Sequence, residues 1–135
     1  ILEITEHAIV DSYDDLTEAL APLRRSGIRV AIDDAGAGYS TLQHILQLAP
    51  DRIKLDMSLT RSVDTNPARR ALVLAMVLFA RETGAVLIAE GIETRGEFET
   101  LVELGVAKGQ GYFLGRPDRL AQTLQAIKSP PGDLA

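Results

Sequence analysis

The order of residues predicts a parallel α/β fold. Short runs rich in Ile and Val alternate with longer segments of helical period, and successive runs lie about twenty to thirty residues apart. A parallel crossover needs a dozen or more residues, and one helix supplies them. In addition, each run delivers an ionisable or amide side chain near its C-terminal end, the position from which α/β folds present functional groups. Periodicity alone leaves two architectures open: an open doubly wound sheet, or part of a closed (β/α)8 barrel.

The runs are Ile1 to Thr5, Arg29 to Ile32, Arg52 to Leu55, Val86 to Ala89 and, more weakly, Gln110 to Leu114. Between the first two, Asp14 or Asp15 is expected to cap a helix that carries Leu16, Leu20 and Leu23 on one face and stops at Gly27. Pro22 removes a backbone donor inside it and predicts a kink. Thr41 to Leu48 reads as a short helix with Leu42, Ile45 and Leu46, ended by Pro50. Asn66 caps the longest helix, Pro67 sits in its first turn, Leu72, Met76 and Phe79 form its apolar stripe, and Gly84 ends it. Thr94 and Glu97 have capping-box spacing, with Phe98, Leu101 and Val102 following and Gly105 as the stop. A last helix is expected from Asp118 to Ile127, with a disordered tail over residues 128–135. Met57 to Leu59 reads as core, and His7 and His44 as surface residues.

Composition narrows the function. The chain has 135 residues, 14 basic and 19 acidic, so its formal charge of −5 lacks the cationic surplus that grips nucleic-acid polymers. It has no cysteine, which removes disulfides, thiolate metal sites and cysteine nucleophiles and fits a cytoplasmic setting. The longest apolar stretch, Ala71 to Ala80, is about half of the ~20 residues a bilayer span needs, so no membrane contact is expected of this segment.

The charged strand ends carry the chemistry: Glu3, Asp33 and Asp34, Lys54 and Asp56, Glu90 and Gln110. Carboxylates in buried parallel strands cost several kcal/mol each unless paired, hydrogen-bonded or bound to metal. One such residue is accounted for as a helix cap or a surface ion pair; four strands in succession are not. Alternation turns Ile53 and Leu55 to one face and Lys54 and Asp56 to the other, as it does Leu87 and Ala89 against Glu90. Oxygen donors without Cys or His suit Mg2+ or Mn2+ rather than zinc or copper. Asp33 and Asp34 adjoin where the strand becomes a loop, so the pleat is lost and both can reach metal. Two such ions would activate a water and clamp the leaving oxygen of a phosphodiester. Lys54 would neutralise charge or hold the water, with Asp56 on the same face to orient it. The glycines of Ala35-Gly36-Ala37-Gly38-Tyr39-Ser40 permit a mobile loop but fit no phosphate-binding fingerprint.

Together, Leu2-Glu3-Ile4-Thr5-Glu6, Asp33-Asp34-Ala35-Gly36-Ala37-Gly38-Tyr39-Ser40, Lys54-Leu55-Asp56, Ala89-Glu90-Gly91-Ile92-Glu93-Thr94 and Gln110-Gly111-Tyr112 resemble the EAL-domain cyclic di-GMP phosphodiesterases. The resemblance implies a (β/α)8 TIM-type barrel, of which residues 1–127 would be the C-terminal portion, about five βα units. It implies hydrolysis of cyclic di-GMP to linear pGpG at a two-metal Mg2+ or Mn2+ site. Glu3, Asp33 and Asp34 match metal ligands, Lys54 the lysine that contacts the nucleophilic water, Glu90 the essential glutamate, and Gln110 a glutamine near that water. Glu6, Asp56 and Glu93 match supporting residues, and residues 35–40 the mobile loop. The implied partners are cyclic di-GMP, a second copy in a homodimer through the barrel, and an upstream sensory or diguanylate cyclase-like domain. The family usually has Phe at the position of Ala35, and often Thr at that of Ala37, so a looser loop is expected here. The signature Glu-Ala-Leu strand and a metal-site asparagine are expected before Ile1, since Glu18-Ala19-Leu20 falls on a helix. The alternative is a catalytically inactive module that binds cyclic di-GMP or a protein partner.

Overall fold

A computed structural model describes residues 1–5, 8–111, 113, 114, 118 and 119, with the backbone alone for residues 39, 40, 118 and 119. Among the described residues, six strands form one sheet in the order β1-β2-β3-β4-β5-β6. They are β1 (Leu2–Ile4), β2 (Val30–Ala35), β3 (Arg52–Leu55), β4 (Val86–Ala89), β5 (Lys108–Gly109) and β6 (Asp118–Arg119). The first five are mutually parallel, and β6 pairs antiparallel with β5.

Strand order decides the architecture that periodicity left open. A doubly wound sheet reverses direction at a switch point so that helices cover both faces. Here the order is sequential. Successive right-handed crossovers in that order put every helix on the same side, which is the arrangement of a (β/α)8 barrel wall.

The crossovers are α1 (Tyr13–Arg25), α2 (Tyr39–Leu48), the short α3 (Met57–Thr60) followed by α4 (Pro67–Thr83), and α5 (Arg95–Leu104). Local chemistry sets most of their ends. Asn66 Oδ1 accepts from the N–H groups of Ala68 and Arg69 at 3.1 Å, with Pro67 at the first position, and Gly84 closes α4 at φ 77°. Thr94 and Glu97 form the reciprocal capping box of α5. Ser12, rather than Asp14 or Asp15, caps α1, its hydroxyl accepting from Asp15 N–H. The two aspartates lie in the first turn, where they favour the helix dipole. α1 also runs unbroken through Pro22 to Arg25.

Which helix faces are buried follows from packing. In α4 the core residues are Val73, Met76, Val77 and Ala80, a clean i, i+3, i+4, i+7 set, while Leu72 of the expected stripe is 46% exposed. In α2 the buried set is Thr41, His44, Ile45 and Leu48, and Leu42 and Leu46 face outward. His44 is therefore a core residue, not a surface one: Tyr13 Oη lies 2.8 Å from its Nδ1, and α1 covers it. Leu59 is buried as expected of the Met57 to Leu59 stretch, but Met57 itself is half exposed. One contiguous core results, with Phe98, Ile32, Ile53, Leu55 and Ile92 as its largest fully buried side chains. Truncating Phe98 to Ala would cost about 3–5 kcal/mol in lost burial and cavity formation.

Two expectations at the C-terminal side change. The fifth strand is Lys108–Gly109, ahead of the apolar Gln110 to Leu114 run, and pairing continues as Gln110 N–H donates to Ala89 O and Ile92 N–H to Gln110 O. Asp118 and Arg119, expected to open a helix, form β6. The remainder of that helix and the tail over 128–135 lie outside the described residues, as do Glu6, His7 and Tyr112.

Candidate functional site

The pairing of β2 with β3 explains how adjacent aspartates share one side. Ile32 pairs with Ile53 and Ala35 with Leu55, so Asp33 and Asp34 together oppose the single residue Lys54. This is a bulge inside the strand, not a strand end. Asp34 takes φ 55°, a left-handed conformation that aspartate tolerates better than most residues. The loss of alternation foreseen between the two carboxylates is real, and the bulge is its cause.

Across the carboxyl edge of the sheet, carboxylate oxygens of Asp33, Asp34 and Glu90 all lie within 4.8 Å of one another. Lys54, from the intervening strand β3, sits among the acids, with its Nζ 3.1 Å from Glu3 Oε1, 3.1 Å from Glu90 Oε1 and 3.7 Å from Asp33 Oδ1. Burial disfavours the Lys54 ammonium, but hydrogen bonds to Glu3 and Glu90 and the charges of Glu90 and Asp33 outweigh it and push its pKa up. Glu90 is pushed up as well, chiefly by burial, against the pull of Lys54. Gln110 Nε2 donates to Glu90 Oε1, fixing the carboxylate between the lysine and the next strand.

Hard oxygen donors converging from β2 and the end of β4, with one cation beside them, fit a magnesium- or manganese-type ion better than a softer metal. Among the described residues, Asp33, Asp34 and Glu90 are close enough together that they could hold such an ion. Glu3 stands at the edge of the cluster, on β1, tied to it through Lys54.

The residues expected to support the site are placed differently from one another. Asp56 is the N-cap of α3, its carboxylate accepting from Ser58 N–H at 2.8 Å, while the ion pairs of Lys54 go to the other acids. Glu93 pairs with Arg61 at 2.7 Å near the surface. Gly36 and Gly38 lie in the loop between β2 and α2, with Gly36 at φ 101°. Tyr39 and Ser40 begin α2, and Ala35 and Ala37 flank Gly36.

Sequence reasoning missed the reach of Glu97. Its carboxylate is 4% exposed as a residue and accepts from three backbone N–H groups: Ser62 at 2.9 Å, Glu93 at 2.9 Å and Thr94 at 3.2 Å. The capping-box spacing announces the Thr94 bond. Ser62 is 35 residues away, with no local signal. By this clamp the loop that follows Glu90 is held to the turn between α3 and α4. Burial opposes ionisation of Glu97, but the three N–H donors and Arg61 more than offset it and hold its pKa below the usual glutamate range.

A same-face parallel βα wall with acids and a lysine gathered at its carboxyl edge is the working face of a TIM-type barrel protein. The chain belongs to the EAL domain family, whose model matches residues 1–117. It is 35% identical over 117 residues to the cyclic di-GMP phosphodiesterase RocR of Pseudomonas aeruginosa, covering 87% of this chain and 30% of RocR. The crystal structure of the EAL domain of Mycobacterium smegmatis DcpA matches with a TM-score of 0.79 and 36% identity, over 96% of this chain and 59% of that one. A manganese/cy-diGMP complex of Klebsiella pneumoniae BlrP1 matches with a TM-score of 0.77 and 35% identity, over 87% of this chain and 30% of that one. The chain spans less than a third of the length of these curated relatives.

Proposed function

We propose that this chain is the C-terminal part of an EAL domain that hydrolyses one phosphodiester of cyclic di-GMP to linear pGpG, using two Mg2+ or Mn2+ ions. The observation that carries the reading is the convergence of Asp33, Asp34 and Glu90 within 4.8 Å beside the Lys54 ammonium. Relatives named cyclic di-GMP phosphodiesterases, and a BlrP1 structure with manganese and cy-diGMP, support it.

Divalent cations held by Glu3, Asp33 and Asp34 would supply positive charge to the phosphate and lower the pKa of the attacking water. Glu90 orients that water and takes up its proton. Its Oε1 is engaged by Lys54 and Gln110, which fixes the direction of the carboxylate, and its raised pKa brings it closer to neutral, as a base working near pH 7 requires. Lys54, paired to the same carboxylate, contacts that water and offsets the charge building on the phosphate oxygens. Glu6, Asp56 and Glu93 support the loops around the site. We also propose a homodimer through the barrel, an upstream sensory or diguanylate cyclase-like domain, as in the bifunctional relative MucR of P. aeruginosa, and a cytoplasmic location.

The test is turnover of cyclic di-GMP by the chain as part of a complete EAL domain, with product separated by chromatography. Linear pGpG should accumulate with Mg2+ or Mn2+, and Glu90→Gln should lower the rate about 10²–10⁴-fold. Binding of cyclic di-GMP without cleavage would establish the inactive binding module instead.

A further inference from the structure

A half-exposed apolar side chain stands at the carboxyl edge, beside the acids. Met57 opens α3, one position after Asp56 and three after Lys54, and is 49% exposed, whereas Leu59 and Thr60 of the same turn are buried. It therefore adds little to the core. Its neighbour across the edge is Gly91, the residue after Glu90: a Cβ built on Gly91 would lie 2.6 Å from Met57 Cβ and 3.7 Å from its Cε. The Met57 side chain thus takes the space a side chain at position 91 would fill, along the backbone that carries Glu90.

Single exposed apolar residues are common, so the place of this one is what matters. Met57 lies between the ends of β3 and β4, the strands that bring Lys54 and Glu90 to within 3.1 Å of each other. A phosphodiester held at those groups carries a nucleoside on either side, and its bases must lie along the rim of the same edge. A purine face needs an apolar surface there. The methionine thioether suits it: it is flexible and polarizable, and a sulfur–aromatic contact contributes about 0.3–1.5 kcal/mol.

We propose that Met57 forms the apolar seat for one guanine ring of cyclic di-GMP. The assignment rests on the reading of the site as one that takes this nucleotide. Met57 then acts on substrate affinity and leaves the bond-breaking groups as they are.

The experiment uses a complete EAL domain that contains this chain, labelled at the methionine methyls and titrated with cyclic di-GMP in Ca2+, the ion that accompanies cy-diGMP in a K. pneumoniae BlrP1 structure. The Met57 signal is identified by its loss in Met57→Leu. It should move upfield saturably under the ring current of the base, while Met76, buried in α4, stays in place. Ribose 5-phosphate, which has no base, should leave the Met57 signal unmoved. Met57→Ala should weaken binding of cyclic di-GMP about 2–12-fold, and raise KM in Mg2+ or Mn2+ to match with kcat unchanged; Met57→Leu should retain most of the affinity. A nucleotide that binds without moving the Met57 methyl, an equal shift with ribose 5-phosphate, or a Met57→Ala variant that loses kcat at constant KM overturns this assignment alone. Failure of the parent domain to bind cyclic di-GMP overturns the functional reading and the assignment with it.

Discussion

Glu97 and Lys54 each link several partners, with opposite charges. Lys54 is one ammonium shared by Glu3, Asp33 and Glu90. Three carboxylates so close would repel one another, and the lysine lets them coexist at the sheet edge. Glu97 is one carboxylate shared by three N–H donors. Its folded pKa is depressed, so its contribution to stability is fully present above the unfolded value of about 4.3 and is lost as pH falls through the folded value. Glu97→Gln should therefore destabilise the chain by about 1–3 kcal/mol at pH 7. In urea titrations the gap to the parent protein should narrow as the pH drops below about 4. A gap independent of pH would show that charge has no part in the clamp.

At the level of strands and helices, close backbone approach matters as much as side-chain identity. Gly111 has φ 153°, and a Cβ there would overlap the backbone N and O of Ile92, atoms that cannot swing aside. The approach allows Ile92 N–H to bond Gln110 O and Phe113 N–H to bond Ile92 O, and so holds Gln110 against Glu90. Gly111→Ala is expected to cost about 2–3 kcal/mol by overpacking. Amide exchange at Ile92 and Phe113 should rise well before that of α4; protection unchanged at both would refute the role given to this contact. The bulge in β2 works in the same way: one extra residue against β3 sends two neighbouring carboxylates to the same side. In α2, by contrast, the choice of face is made by what covers it: Tyr13 of α1 covers His44, and Thr41 is buried on the same helix, while Leu42 and Leu46 stay outside.

Across the whole molecule, β1 pairs among the described residues only with β2, and Ile1 before it and Leu2 within it are 66% and 38% exposed. Leu46, Leu74 and Leu78 add exposed apolar surface on α2 and α4. A parallel strand with one free edge and an apolar sequence is a template for further pairing. The chain covers 59% of the DcpA EAL structure. Sedimentation velocity on this chain alone should reveal concentration-dependent self-association, and the chain within a complete EAL domain should sediment as a defined species. A monodisperse monomer of the isolated chain at all concentrations would contradict this.

Much of this arrangement is written in local order. The spacing of Ile and Val runs announces β3 and β4 to the residue, Asn66-Pro67 and Gly84 bound α4, and Thr94 with Glu97 opens α5, because caps and strand periods depend on neighbours a few residues away. The acids and the lysine among the strand residues are equally legible, since charge among apolar neighbours is costly unless it is used. Other features depend on residues far apart in the chain and had to wait for the tertiary structure: the sequential strand order that selects a barrel wall, the bulge that brings Asp33 and Asp34 together, the burial of His44 beneath Tyr13, and the bond from Ser62 to Glu97. β5 escaped for a related reason: Lys108 and Gly109 have no strand pattern of their own and are extended because Ile88 and Ala89 offer them a partner. Pairing and burial are properties of the assembled sheet, and no window of adjacent residues contains them.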